Sequence, residues 1–270
     1  MTKIFLTILL IILMIPLPLI IVMTIANRKE LMQRGTRQAV YDLLTSVATT
    51  AISMLTATLT RPFDFLCRDI HPEKEGNPLP VLMTHGLYHN KTAWFLMKPK
   101  LRKAGYSNLN TWSYNSFTTS YPELVLELRR RILKLYAENN NQKIVLIGHS
   151  LGGLIIKGAV SDPAVAESVA KIITLGTPFR GSLLAKIAPG RLGRSLHPES
   201  SLFQTIHTTP PLNSIQKTAI FSPIDEMVLP WKNLLPSETD WKTLPCPAMG
   251  HVAMLYSPKI TNMILRIMQQ

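Results

Sequence analysis

Cysteine is scarce in this chain, with two residues in 270, Cys67 and Cys246. Two thiols cannot build a disulfide framework or a four-thiolate zinc site, and they do not identify a redox compartment. Charge is also sparse, at 17% of residues against roughly 25% in an average soluble domain. Together with 46% hydrophobic residues and a mean hydropathy of +0.15, this excludes intrinsic disorder and a collagen-like chain. It points to a membrane-attached protein with a substantial core. Acidic residues are few, 16 against 29 Lys and Arg, which leaves a net charge of +13. Such a balance suits nucleic acid, an anionic membrane surface, or simply a basic exterior. Aromatics are only 7%, the bases are scattered, and no nucleic-acid-binding motif occurs, so anionic lipid is the expected partner and nucleic acid is not. No internal repeat, low-complexity segment or calcium-ligand pattern is present, and neither metal nor cofactor is expected.

Residues 4–26, from Ile4 to Ala26, carry no charge. As a helix at about 1.5 Å per residue they would span a hydrocarbon core of roughly 30 Å. The run is longer than the apolar region of a cleaved signal peptide, and no small-x-small cleavage site follows it. We read residues 1–27 as a transmembrane anchor kinked at Pro16 and Pro18. Arg28, Lys29, Arg34 and Arg37 follow it, which by the positive-inside rule places the next region in the cytoplasm.

Residues 28–76 read as a basic linker and an amphipathic helix. Within 39–60, Leu43, Leu44, Val47, Ala48, Ala51, Leu55, Thr58 and Leu59 recur at helical spacing. Thr45, Ser46, Thr49, Thr50, Ser53 and Thr56 fall on the other side. Such a helix lies on the membrane or packs on the main domain; as a second span it would put that domain outside. On the anchor reading, removing residues 1–61 should lower activity on vesicles and spare soluble short-chain substrates.

From residue 77 to 270 short apolar runs alternate with longer helical patterns. Strands are expected at 80–84, 108–112, 143–147, 171–175, 217–221 and 243–248. The clearest helix is 121–138, where Ser120 and Glu123 form a capping box, Pro122 sits in the first turn, and Leu124, Leu128, Ile132 and Leu135 share a face. Strands alternating with helices argue for an α/β class with a mostly parallel sheet covered on both faces.

The stretch IVLIGHSLGGLIIKG, 144–158, runs an apolar strand into Gly148-His149-Ser150-Leu151-Gly152 and then a helical pattern. A G-x-S-x-G in that context is a nucleophile elbow. A serine on so sharp a turn is strained, and side chains two residues either side would collide; glycine at 148 and 152 removes them. The oxyanion hole would pair the Leu151 amide with one from the loop after an earlier strand. PVLMTHGL, 80–87, offers Leu87, with Gly86 permitting the backbone to turn and His85 shaping the loop. Among histidines beyond the nucleophile, His197 and His207 lie in a Pro/Ser/Thr-rich stretch. His251 follows the last expected strand, where a base must sit to reach the serine. The acid belongs after the preceding strand, in SPIDEMVLP, where Asp225 and Glu226 are adjacent. The order serine, acid, histidine is that of the α/β-hydrolases.

With PVLMTHGL, IGHSLGG, TLGTPFRGS (174–182), SPIDEMV and GHVAMLYSPKI in order over roughly 78–260, the chain resembles the α/β-hydrolases. It is most similar to bacterial triacylglycerol lipases and esterases and their lipid-deacylating relatives. The resemblance implies Ser150 as nucleophile, Asp225 as acid, His251 as base, the Leu87 and Leu151 amides as oxyanion donors, and 183–216 as a cap-like insertion. It departs from the secreted members in its uncleaved amino-terminal span, expected in a bacterial inner membrane. The implied activity is cleavage of lipid-like carboxylic esters; the anchor, the 39–60 helix and the basic insertion with Lys186, Arg191 and Arg194 point to a substrate taken from the membrane surface. Thioester or amide cleavage, or an inactive membrane-anchored scaffold, are the alternatives.

Overall fold

The structure, a computed structural model, describes residue 14 and residues 16–71, 79–207 and 215–270. Residues 4–13 and 15 of the expected span lie outside the described residues, as do residues 72–76 of the expected linker and 208–214 of the 183–216 insertion.

Six strands form one sheet in the order β2-β1-β3-β4-β5-β6, every neighbour parallel: β1 Val81–Thr84, β2 Leu109–Trp112, β3 Ile144–His149, β4 Val169–Leu175, β5 Gln216–Phe221 and β6 Trp241–Pro245. All six expected strands are present. Parallel strands buried on both faces read as unbroken apolar runs, and β1 and β3 are buried at every position. Alternation along them divides the core between the two faces. Leu82, Ile144 and Leu146 pack with Leu124, Leu128 and Ile132 of the helix Tyr121–Glu138 and with Leu154 and Ile155 of the helix Leu151–Ala159. On the opposite face, Val81, Met83, Val145 and Ile147 pack with Met97 and Leu101 of Met97–Lys103 and with Ile260 and Ile264 of Pro258–Met268.

In chain order the α-helices are α1 Leu17–Ala26, α2 Arg28–Gln33, α3 Thr36–Thr60, α4 Met97–Lys103, α5 Tyr121–Glu138, α6 Leu151–Ala159, α7 Pro163–Glu167, α8 Gly190–Arg194, α9 Ser201–His207, α10 Ala253–Tyr256 and α11 Pro258–Met268. Helix α5 is N-capped by Ser120 in the expected capping box, with the Ser120 N–H and hydroxyl both donating to the Glu123 carboxylate at 2.7 Å.

Of the stretch expected as linker and amphipathic helix, residues 28–66 are almost wholly helical and pack on the sheet domain. Ile20 and Met23 of α1 and Leu31 of α2 are buried in one cluster with Ile224 and Leu229, joined by Leu43, Val47 and Ala248. The face that α3 turns inward is the polar one: Asp42, Ser46, Thr50, Ala51 and Ser53 are buried, while Val40, Tyr41, Leu44, Ile52 and Leu59 are exposed. The apolar stripe therefore splits, with Val47 and Ala51 on the protein and Leu44 and Leu59 facing outward. The continuous helical stretch Thr36–Leu66 is long and apolar enough to cross a membrane by length and composition; Leu17–Ala26 is a shorter apolar helix.

Candidate active site

Ser150 occupies the turn between β3 and α6 at φ 53° and ψ −124°, a conformation that costs a non-glycine residue about 1–3 kcal/mol. Two glycines make it possible. A Cβ on Gly148 would approach the Gly153 nitrogen to 2.7 Å, and one on Gly152 would run into the Thr84 carbonyl oxygen at the end of β1. The turn is braced by the Ser150 N–H donating to the Leu175 carbonyl at 2.8 Å and by the Thr177 hydroxyl donating to the Ser150 carbonyl at 3.1 Å. Gly153 leaves the room that Thr177 fills.

His251 and Asp225 come together from the loops after β6 and β5. His251 Nδ1 lies 2.6 Å from Asp225 Oδ2, and both side chains are buried. A carboxylate accepts, so Nδ1 carries the proton and Nε2 is left as the basic nitrogen. Burial by itself would lower the His251 pKa. The Asp225 charge and hydrogen bond, with the Glu226 charge behind them, outweigh burial and hold it above the usual 6.5. Asp225 is itself fixed by the N–H groups of Met227 and Val228, each 2.9 Å from Oδ1.

Glu226 does not face the ring. Its carboxylate accepts the His251 backbone N–H at 3.0 and 3.3 Å, so it holds the base loop rather than the imidazole. Burial first, and the Asp225 charge second, push its carboxyl up to about 7. His149 lies with its ring centroid 4.7 Å from that of His251 and donates from Nε2 to the His251 carbonyl at 3.2 Å. Burial and the neighbouring imidazole hold it neutral, well below the usual value.

On the other wall, His85 is fully buried after β1. Its Nδ1 donates to the Gly86 carbonyl at 2.8 Å, Nε2 accepts from the Tyr114 N–H at 3.3 Å, and its ring stacks on Tyr114 at 4.0 Å. Burial pushes it down to about 3, which suits a neutral loop-shaping group and not a base. A Cβ on Gly86 would meet His149 Nδ1 and Ser150 Cβ at 2.9 Å, so this loop must run past the elbow without a side chain. Among the described residues neither the Leu87 nor the Leu151 N–H has an acceptor; Leu151 opens α6, where orphan donors and the helix dipole favour negative charge.

Ser150, Leu87, His149 and His251 line one cavity of about 280 Å³, mostly apolar, whose remaining wall includes Leu19 of α1, Met227, Val252 and the segment from Leu184 to Leu196. Residues of the expected insertion thus close over the serine. No group of three or more His, Cys, Asp or Glu side chains able to hold a metal occurs among the described residues.

Some residues at the site were not singled out in the sequence. His89 lines the cavity and bonds Tyr256 Oη at 2.9 Å. Gly176, at φ 56°, passes beside the pair; a Cβ there would lie 3.1 Å from the His251 ring and 3.2 Å from Asp225 Oδ2. The TLGT motif was the available signal for Gly176. Nothing in the sequence marked Leu19 or His89, which reach the site only through tertiary packing.

Residues 118–190, which include the elbow, match the family model described as a PGAP1-like alpha/beta domain. Two curated relatives are similar over short stretches. The GPI inositol-deacylase of Candida albicans is 43% identical over 56 residues, 21% of this chain and 14% of its own length. That of Drosophila melanogaster is 41% identical over 51 residues, 18% of this chain and 5% of its own. The match therefore spans a small part of either relative. Among solved structures, Bacillus licheniformis lipase BlEst2 in mature form superposes with a TM-score of 0.61 at 17% identity, over 74% of this chain and 94% of the lipase. Aspergillus fumigatus lipase B gives 0.65 at 15% identity, over 75% and 56%. The chain has the α/β-hydrolase fold.

Proposed function

We propose that this α/β-hydrolase-fold chain is a serine hydrolase that cleaves carboxylic esters of lipid-like substrates at a membrane surface. The observation that carries the reading is that His251, paired at 2.6 Å with the buried Asp225, lines the same apolar cavity as a strained Ser150. The fold likeness to lipases and the sequence likeness to GPI inositol-deacylases support it.

In the proposed cycle, His251 Nε2 takes the Ser150 proton and Oγ attacks the ester carbonyl. The Leu87 and Leu151 amides hold the oxyanion, and His251 protonates the leaving alcohol. Water then attacks the acyl-enzyme by the same route in reverse. The cavity wall formed by Leu184, Ala185, Ile187 and Leu196 would take an acyl chain. Charge stabilisation at the raised-pKa imidazolium is where Asp225 contributes.

The membrane reading rests on the outward faces of α1 and α3. Ile25, Leu44 and Ile52 are each more than 60% exposed, as are Phe65 and Leu66 just beyond α3. A water-facing helix would carry polar residues there. Bases at Arg28, Lys29, Arg34 and Arg37 flank this surface and suit anionic lipid. A narrower substrate, an acyl group on an inositol hydroxyl, is favoured by the names of the sequence relatives.

The test is hydrolysis of a p-nitrophenyl ester ladder from short to long acyl by the wild-type chain and by Ser150→Ala. Loss of turnover by several orders of magnitude in the variant is expected. Unchanged turnover in Ser150→Ala would overturn the assignment. Acyl-thioesters run beside the esters separate a thioesterase, and no turnover on either would favour the scaffold.

A further inference from the structure

Helix α3 reaches the two loops that carry the catalytic pair, and it does so with its hydroxyls. The Gly250 N–H, one residue before His251, donates to Thr49 Oγ1 at 2.9 Å. That hydroxyl in turn donates to the Thr45 carbonyl at 2.7 Å, so its orientation is fixed from within the helix. Beside it, a Cβ on Gly250 would collide with the Thr50 hydroxyl and would lie 3.1 Å from the Thr50 Cα; the base loop touches the helix backbone there because residue 250 has no side chain. The acid loop is held from the same side. Ile224, immediately before Asp225, is fully buried against Ile20, Met23 and Leu31, with Leu43 and Val47 of α3 and Ala248 of the base loop packed around them. Further along, the Trp231 N–H donates to the buried Asn27 side chain at 3.1 Å.

We infer that the amino-terminal helices are a working part of the active site, and that Thr49 is a positioning residue that sets His251 through Gly250. The inference rests on the serine-hydrolase reading and deepens it. An imidazole that must reach Ser150 on one edge and Asp225 on the other tolerates little displacement, and a shift of about 1 Å costs about a hundredfold in rate. Besides the ring, the base loop is tied by Glu226 on the His251 N–H, His149 on the His251 carbonyl, Ser222 on the Met249 N–H and carbonyl and, from α3, Thr49 on the Gly250 N–H. Freeing the last leaves a buried amide unpaired next to His251 and removes the loop's hydrogen bond to α3. This packing does not fit the expectation that a chain without residues 1–61 would keep its activity on soluble esters, because the removed residues include the tie.

The experiment uses the full-length chain and a water-soluble short-chain p-nitrophenyl ester, for which lipid contact plays no part. Thr49→Val keeps the volume and removes the acceptor. It should lower kcat about ten- to a hundredfold with KM within about twofold, and Thr49→Ser should restore kcat. Gly250→Ala, which pushes the loop off α3, should show the same kcat-selective loss, and it decides the matter if Thr49→Val melts below the assay temperature. Wild-type kcat in Thr49→Val or in Gly250→Ala, each shown folded by thermal melting, overturns the inference, and so does equal loss in Thr49→Val and Thr49→Ser. A Ser150→Ala chain that retains turnover would instead remove the reading on which it rests, so the two failures are distinguishable.

Discussion

His251 is held at three points at once. Asp225 takes Nδ1, Glu226 takes the backbone N–H, and His149 reaches the carbonyl. The two carboxylates divide the work, one on the ring and one on the main chain, and both raise the pKa of the imidazole. In the proposed cycle His251 must be neutral to accept the Ser150 proton, so kcat/KM should rise with pH through a value above 6.5. Glu226→Gln removes the carboxyl whose charge, as it ionises around pH 7, adds to that of Asp225 near the imidazole. The imidazolium is then less stabilised, and the acid limb of the pH profile should move to lower pH. A limb that stays in place or moves up contradicts the assignment. Stability changes as well. Glu226 has a folded-state pKa of about 7 against the usual 4.5. Its contribution is complete below about 4.5 and is lost as pH rises to 7, a decline that denaturant titration should find absent in the Gln variant. Which of the adjacent acids faces the histidine could not be read from the residues alone, because that is decided by the turn after β5. The resemblance selected Asp225, and the geometry pairs Asp225 with the ring.

Among the elements, the strands and the elbow were the most legible. Short β-branched runs between helical patterns fix a parallel sheet, and glycines two residues either side of Ser150 report a steric demand that the β1 carbonyl and the α6 backbone impose. Helix α3 was legible as a helix and as two-faced, yet not in its orientation. Periodicity gives a stripe, and in water the apolar stripe turns inward; here hydroxyls fit closely against Gly250 and the acid loop, and much of the apolar stripe is left outside. If that outer face lies in lipid, polar substitution there should weaken membrane binding. Leu44→Gln combined with Ile52→Gln removes two large apolar groups, each worth about 1.5–3 kcal/mol when buried. Vesicle flotation should show affinity at least about tenfold lower. Unchanged flotation would remove this face from the membrane contact.

Across the whole molecule, the amino-terminal helices, the carboxyl ends of β5 and β6 and the cavity over Ser150 meet in one region. Leu19 of α1 is a wall of the cavity, while Ile21, Val22 and Ile25 of the same helix are exposed. A lipid leaving a bilayer held against those exposed residues would meet the serine cavity within the width of one helix, about 10 Å. The long apolar run at the amino end was legible from composition. The packing of the amino-terminal helices onto the loops of Asp225 and His251 was not, since contacts such as Gly250 with Thr49, 201 residues apart, leave no local trace. The most direct measurement of the central claim is labelling of the full-length chain by a fluorophosphonate, with the modified peptide identified by mass spectrometry. The account predicts one adduct, on Ser150, with labelling lost in Ser150→Ala and slowed by about three orders of magnitude or more in His251→Ala. Absence of labelling, or an adduct on another residue with Ser150→Ala still hydrolysing esters, would contradict it.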